Sequence, residues 1–445
     1  MRYHTLVVLW PLGPYLEEVS AIGKGTLMTD MTVAQIKSKR MVYLALSTVT
    51  LLLLGLIYAF SMFAAPMCET FGLEKTDVAL TFNIMMIAFC LGCVAGSYVE
   101  KAVGTRGALI CAGILFFVGF AGTGMFGTGQ LFVVYVLYGV CGGAGVGMGY
   151  NSIVATTNIW FPDKVGFSSG VLMMGFGVSA LILGNLSLQI MPSVGLTTVF
   201  VALGIITLIV TVLCAFILQR PPANIVEIMT GRKAGAAGAD PADADKPLKT
   251  STFYIYWVWA IIVIAIGLAT IGNAASDAQL VGLDAGFATM LVGFVSTANG
   301  LARIIMGMVY DKTNVKITMM IDAIIAVVAA GSIFAAFQTG IGALYVVGAL
   351  CCGFCYGAVP VVASAFARQR FGQKNYPLNL SITNFAIVFG SLLNIALGSV
   401  VGVTNRPEIF MCLVVFAVIA LADTFPFSKK WDKDIADLEA KRAQA

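Results

Sequence analysis

Residues 96–106 read Gly-Ser-Tyr-Val-Glu-Lys-Ala-Val-Gly-Thr-Arg, and residues 307–316 read Gly-Met-Val-Tyr-Asp-Lys-Thr-Asn-Val-Lys. Each stretch closes a long apolar run with a glycine (Gly96, Gly307), an acid four residues later (Glu100, Asp311), a lysine (Lys101, Lys312) and a further base (Arg106, Lys316). The two glycines lie 211 residues apart, and the apolar runs that begin near residues 41 and 251 lie 210 apart. Glycine lets neighbouring helices approach closely. Acid and base then meet where the helix leaves the apolar phase, and they can pair across the turn that follows. Two copies at one offset point to a duplicated unit, as in many membrane carriers.

Working outward, the surroundings of both copies are apolar. Of 445 residues, 59% are hydrophobic and 11% charged, where soluble chains carry about 25% charge. The mean hydropathy is +0.93. Water does not solvate such a chain, and in a bilayer only helices or closed barrels satisfy the backbone. A barrel would alternate polar and apolar residues in strands of about ten. Here the runs last roughly 20 residues without alternation, enough for a helix to cross the hydrocarbon. The expected fold is an all-α integral membrane protein of twelve transmembrane helices in two pseudo-symmetric six-helix halves. The spans are expected near 41–66, 77–99, 107–127, 131–157, 165–190, 196–219, 251–273, 286–310, 315–338, 341–366, 378–402 and 408–425. Placing both termini inside puts 23 of the 26 Lys and Arg residues in cytoplasmic segments, leaving Lys75 and Arg406 outside and Arg303 within a span. That asymmetry obeys the positive-inside rule and predicts a multi-pass protein of the plasma (bacterial inner) membrane with both termini cytoplasmic.

The organisation follows as a cytoplasmic lead (1–40), a first half (41–219), a cytoplasmic linker (220–250), a second half (251–425) and a cytoplasmic tail (426–445). The linker, rich in Ala, Gly, Asp and Pro, has little to pack. Within the lead, residues 1–27 hold the lone histidine, His4, and an apolar patch broken by Pro11 and Pro14. We expect translation to start at Met28 or Met31. The ten cysteines lie in or beside apolar runs and read as small packing side chains. Cys351-Cys352 and Cys355 lack a converging histidine, so no metal or other cofactor is expected. No phosphate-binding loop, nucleophile–base set or basic surface suggests ATP, an enzyme or nucleic acid. The expected partners are the lipid bilayer and a small organic anion, with a monomer as the functional unit.

Arg303 carries the functional reading. It sits about eight residues, or roughly 12 Å of helix, inside its span. A guanidinium at that depth faces the bundle interior or a wet cavity, and its flat fork of donors suits a carboxylate. Asn299 and Asn384 are buried amides that could add hydrogen bonds to an anion. Asp322, about six residues inside Lys316, reads as structural or interfacial, or as a partner for Arg303. The spans of the first half carry no central acid and no histidine, the usual proton carriers. One buried cation without a proton site suggests exchange: a carboxylate neutralises Arg303 and lets the loaded carrier reorient. One cation matches a monocarboxylate better than a dianion, which would leave surplus charge in low dielectric. Glu100, Asp163 and Asp311 are expected to meet Arg368 and Arg370 as a cytoplasmic gate, with Gly96, Lys101, Arg106, Lys164, Gly307 and Lys312 as its remaining members. The glycines of the fourth span (Gly139, Gly142, Gly143, Gly145, Gly147, Gly149) read as mechanical, removing bulk where helices touch.

Several motifs carry a resemblance. Gly143-x-Gly145-x-Gly147-x-Gly149-Tyr150, Trp160-Phe161-Pro162-Asp163-Lys164, Ser169-Gly170 and Gly175-Phe176-Gly177 resemble the oxalate/formate antiporter family, a neighbour of the monocarboxylate transporters within the major facilitator superfamily. Ala298-Asn299-Gly300-Leu301-Ala302-Arg303, Phe371-Gly372-Gln373-Lys374-Asn375-Tyr376 and Tyr58-Ala59-Phe60-Ser61 extend the likeness over about 41–425. The resemblance implies alternating-access transport of carboxylates and places Tyr58, Tyr150 and Tyr356 on the substrate cavity. The chain departs from the family in using Glu100 where Asp is usual, Asn314 where Gly is common, and Gly390-Ser391 where Gly-Pro is frequent. Oxalate carriers of this kind are associated with a lysine in the eleventh span, and no Lys or Arg lies between Tyr376 and Arg406. A proton-coupled monocarboxylate symporter is the alternative. A non-transporting sensor is a further one, although the tail is too short for a signalling domain.

Overall fold

The computed structural model describes residues 33–222, 224–230, 242, 245–271, 273–402 and 405–444, and the expected start-site segment, with His4, lies outside them. Helix α1 runs Val33–Leu54, tightens over Gly55–Ala59 and resumes as Phe60–Phe71. The next helical stretch, Lys75–Phe126, is 52 residues long. At about 1.5 Å per residue it measures more than twice the hydrocarbon thickness. Gly104 breaks it with φ 76° and ψ 172°, a backbone region open chiefly to glycine. The break divides it into α2 (75–103) and α3 (105–126), so the 11 apolar helical segments contain twelve spans. The others are α4 (Leu131–Ile159), α5 (Val165–Val194), α6 (Leu196–Ile217), α7 (Ser251–Ile271), α8 (Ala285–Lys312), α9 (Val315–Thr339), α10 (Gly342–Phe371), α11 (Tyr376–Val401) and α12 (Arg406–Gln444).

The helix ends differ from expectation where side chains anchor them. Within the segment 426–445, expected as a cytoplasmic tail, α12 passes through Pro426 without a break as far as Gln444. Phe427 and Trp431 are buried one turn apart and pack on Phe366 of α10, extending the core beyond the apolar run.

Two apolar cores form. One gathers α1–α6 around Phe116, Phe120, Tyr138 and Phe200, and the other gathers α7–α12 around Tyr256, Trp259, Ile333 and Phe366. Exposed Ile114, Ile209, Leu213, Val328, Val415 and Val418 give the outer helices an apolar exterior suited to lipid. Inside each half the glycines of one helix seat it against another. A Cβ on Gly143 or Gly147 of α4 would strike the carbonyl of Met85 or Phe89 on α2. Gly353 and Gly357 of α10 meet the carbonyls of Val295 and Asn299 on α8 in the same way. All four positions repeat at an offset of 210 residues, which makes the duplication physical. Gly145 faces α3 instead, at Phe116 and Ala112. The glycines of α4 therefore serve close helix packing.

The face that carries the linker, the start of α1 and the end of α12 is bound together by several contacts. Trp160 Nε1 donates to the Gln219 carbonyl at 2.8 Å, Arg40 pairs with Asp163 at 2.6 Å, and Arg370 bridges Asp245 (2.5 Å) and Asp434 (3.1 Å). On the opposite face Arg406 forks onto Asp277 at 2.8 and 2.6 Å and donates to the Ala269 carbonyl. Burial pushes the Asp277 carboxyl up from the usual aspartate range, and the Arg406 hydrogen bonds oppose that rise.

Candidate functional site

The two halves meet along α5 and α8, and the fit varies along the pair. A Cβ on Gly166 or Gly307 would collide with the other's carbonyl oxygen, and one on Gly170 would strike the Arg303 carbonyl. Farther from the linker face the contact loosens: a Cβ on Gly300 would find only Val178 at 3.3 Å, and one on Gly293 would meet nothing within 4 Å. The helices therefore touch at the linker end and part toward the opposite face.

Arg303 sits where they part. It is 3% exposed and belongs to α8, yet its Nη1 donates to the Met173 carbonyl of α5, across the boundary between halves. Its Nε donates to Asn299 Oδ1 at 3.1 Å, one helical turn earlier, so Asn299 aims the guanidinium. The plane of the fork lies against Gly177, where an added Cβ would stand 2.9 Å from Cζ. Among the described residues no acid pairs with Arg303, and Asp322 makes no hydrogen bond to it.

Aromatic side chains cluster near this cation. Tyr150 and Tyr356 both interact electrostatically with Arg303 and with Tyr58, and Tyr356 also meets Tyr58 through its side chain. Phe176 lies between them, with ring centroids 5.3 Å from Tyr58 and 5.1 Å from Tyr150, and Phe89 stands 5.5 Å from Tyr150. Tyr58 is only partly buried, Tyr150 is 4% exposed and Tyr356 6%. Such a box gives a small organic anion a guanidinium, three phenol donors and apolar ring faces. Phe89 and Phe176 were not singled out from sequence as members of it. Phe176 had a usable signal, an aromatic between two glycines, while nothing in the sequence distinguishes Phe89. Asn384, expected to add a hydrogen bond to the anion, lines a cleft with Pro360, Ala363 and Ile264, and among the described residues its Nδ2 has no partner. It sits on α11, and the structure gives it no contact with the guanidinium.

The expected gate is corrected in its pairings. Glu100 accepts hydrogen bonds from Thr105 (2.8 Å) and Arg220 (3.0 Å), within its own half. Asp163 pairs with Arg40, also within that half, and Arg370 binds the linker and α12. Arg106 lies over Phe216 (4.9 Å) and Lys101 over Tyr98 (5.9 Å), while Lys164 and Lys312 are exposed. Arg368 is buried over the Tyr376 ring at 5.9 Å. Of the three acids, Asp311 alone crosses between halves: its two oxygens accept the N–H groups of Gly166 (2.7 Å) and Phe167 (2.6 Å) at the start of α5. A carboxylate there satisfies orphan donors and complements the helix dipole.

A larger cross-half contact carries no charge. Asn158 of α4 lies 2.7 Å from Ser169, 3.0 Å from Ser364 of α10 and 3.0 Å from the Tyr376 hydroxyl of α11. Ser364 joins Ser169 at 2.8 Å and Tyr376 at 2.6 Å, and all four residues are fully buried. Sequence reasoning missed this cluster because single Ser, Asn and Tyr residues within apolar runs read as ordinary packing.

Comparisons with known proteins agree with this architecture. The chain is 26% identical over 388 residues to an oxalate:formate antiporter of Oxalobacter formigenes, covering 86% of this chain and 90% of that one. It is 24% identical over 366 residues to the uncharacterised MFS-type transporter YhjX of Escherichia coli, covering 81% and 88%. Among solved structures, a proton:xylose symporter, XylE, bound to 6-bromo-6-deoxy-D-glucose superposes with a TM-score of 0.68 at 16% identity, over 88% of this chain and 96% of that one. A bacterial homologue of the iron transporter ferroportin, in an outward-facing state, gives 0.64 at 13%, over 87% and 99%. At these identities the structures speak for the fold alone. The Major Facilitator Superfamily profile matches residues 44–394, and with twelve spans in two halves joined along α5 and α8, the chain belongs to that superfamily of transporters.

Proposed function

We propose that the protein exchanges small carboxylate anions, monocarboxylates foremost, across the plasma membrane by alternating access, with a monomer as the transport unit. The observation that carries this reading is Arg303: a guanidinium buried between the halves, unmatched by any acid among the described residues and interacting with Tyr150 and Tyr356, which in turn interact with Tyr58. A buried cation without a counter-charge is costly to move through the occluded state, and a bound carboxylate removes that cost. The likeness to an oxalate:formate antiporter supports the same substrate class. The segments 41–219 and 251–425 would rock as units about the site. The linker face would be cytoplasmic, closed here by Asp311 and the Asn158–Ser364–Tyr376 cluster acting as a latch.

Reconstituted vesicles loaded with one carboxylate and challenged with a panel of others provide the test. Arg303→Ala should abolish exchange. Arg303→Lys keeps the charge but loses the fork, and should fall at least about tenfold if one charge-assisted hydrogen bond is lost. Full exchange by the alanine variant would refute the assignment.

A further inference from the structure

Asp322 lies within the second half on α9, fully buried, and neither of its oxygens has a hydrogen-bond partner among the described residues. Two more polar groups of that bundle, the Tyr256 hydroxyl and Trp259 Nε1 on α7, are likewise buried and unpartnered. Tyr256 interacts electrostatically with Asp322, as does Cys355 of α10. Folded proteins leave few such groups unsatisfied, and a bare carboxylate in this setting is costly. A site that tolerates it is built for something that arrives and leaves. A metal cation would need several oxygen ligands, whereas the groups that interact with Asp322 are a phenol and a thiol. A proton needs only the carboxylate.

We propose that Asp322 is a proton-binding site, holding a neutral carboxyl while the linker face is closed, and that Tyr256 and Tyr310 link its loading to the latch. The carboxylate takes one proton from water at that face and later returns it. Electrostatic interactions run along these residues: Tyr256 with Asp322 and with Tyr310 of α8, and Tyr310 with Asp311 and Tyr376, both members of the latch. Tyr310 itself donates to Gln369 at 2.7 Å. The remaining neighbours bring little competing charge. On α12, Lys430 pairs with Asp434 at 3.2 Å, Asp432 pairs with Lys316 of α9 at 2.6 Å, and Asp423 keeps one buried oxygen unpartnered. On α10 the bases Arg368 and Arg370 lie at the linker end, engaged with Tyr376 and with Asp245 and Asp434 respectively. The inference rests on the latch described for this face and is independent of which anion is carried.

The test uses the full chain in membranes without substrate. Infrared difference spectra of wild type and Asp322→Asn, from mildly acid to mildly alkaline pH, should show a protonated-carboxyl band that titrates in wild type and is missing from the variant. Deuterium exchange of the peptide holding Gly166 and Phe167, corrected for intrinsic rates, should accelerate with pH in wild type by up to about tenfold per unit, one proton's worth. In Asp322→Asn it should stay flat. Absence of a titrating band attributable to Asp322 overturns the proton site, and identical latch exchange in the two proteins overturns the link. Should Asp322→Asn fail to fold, Asp322→Glu takes its place, keeping a titrating carboxyl at that position and moving its band. Tyr256→Phe should then keep the band and lose the pH response of the latch; a retained response overturns the link. Because no carboxylate is added, a negative exchange assay and a negative result here remain distinct.

Discussion

Glu100 closes α2 and Asp311 closes α8, each four residues after a glycine, and the two carboxylates face different parts of the molecule. Glu100 turns into its own half, to Thr105 and Arg220, while Asp311 reaches across to the N–H groups of α5. The glycines part in the same way: Gly96 packs on Met148 of α4, and Gly307 meets Gly166 of the other half. The reason lies in the register. The packing contacts of α2 with α4 and of α8 with α10 repeat at 210 residues, but the two motifs repeat at 211. One residue on a helix is a rotation of about 100°. Matching letters are thereby aimed at different neighbours, and a motif read as symmetric builds an asymmetric interface. In the same register Arg303 of α8 falls opposite Cys93 of α2, so the buried cation has no twin.

The largest test of that contrast is steric. Gly307→Val should prevent closure of the linker face, because even a Cβ strikes the Gly166 carbonyl; transport should fall about a hundredfold or more, since overpacking costs about 1–3 kcal/mol even where neighbours can yield. Gly96→Ala, whose Cβ would stand 2.9 Å from Met148 Cα, should instead lower the thermal stability of the first half and leave the conformational balance near wild type. Equal effects on accessibility from both variants would break the comparison.

Next comes the uncharged cluster. Tyr376→Phe removes the hydroxyl that joins Ser364 and Asn158 in a fully buried setting. Leaving those partners unsatisfied costs about 1–3 kcal/mol, so distances between labels on the two halves should shift toward an open linker face by roughly fivefold or more in population. The charged contact should matter less. Asp311 is exposed to water, and a surface charge at a helix N-terminus contributes about 0.3–1 kcal/mol. Asp311→Asn should therefore shift the same distances by less than Tyr376→Phe, and Glu100→Gln should not shift them at all. A larger effect from Asp311→Asn would reverse the ranking of buried over charged contacts. Last is Arg220→Ala: the arginine side chain is 63% exposed but its partner Glu100 only 4%, so among the described residues the loss leaves a buried carboxylate held by Thr105 alone; the melting temperature should fall while the label distances stay near wild type.

Arg303 stood out because a charge deep in an apolar run has few explanations; Asn299 was read as a donor to the anion, whereas its Oδ1 accepts from Arg303. The gate was not, since Glu100, Asp163, Arg368 and Arg370 all emerge on one face and sequence spacing does not say which will meet. Proximity to the linker and to α1 settled it: Arg220 and Arg40 take the first two acids, and Asp245 and Asp434 take Arg370. Asp322, read from sequence as structural or interfacial, is fully buried on α9.

By itself the sequence determined that the chain lies in a bilayer as two six-helix repeats, because hydrophobicity and its period are properties of successive residues and need no partner. Which side chains converge was left to the tertiary structure. A one-residue change of phase is invisible in a motif, yet it decides whether a helix presents its acid to its own half or to the other, and only packed helices fix that angle.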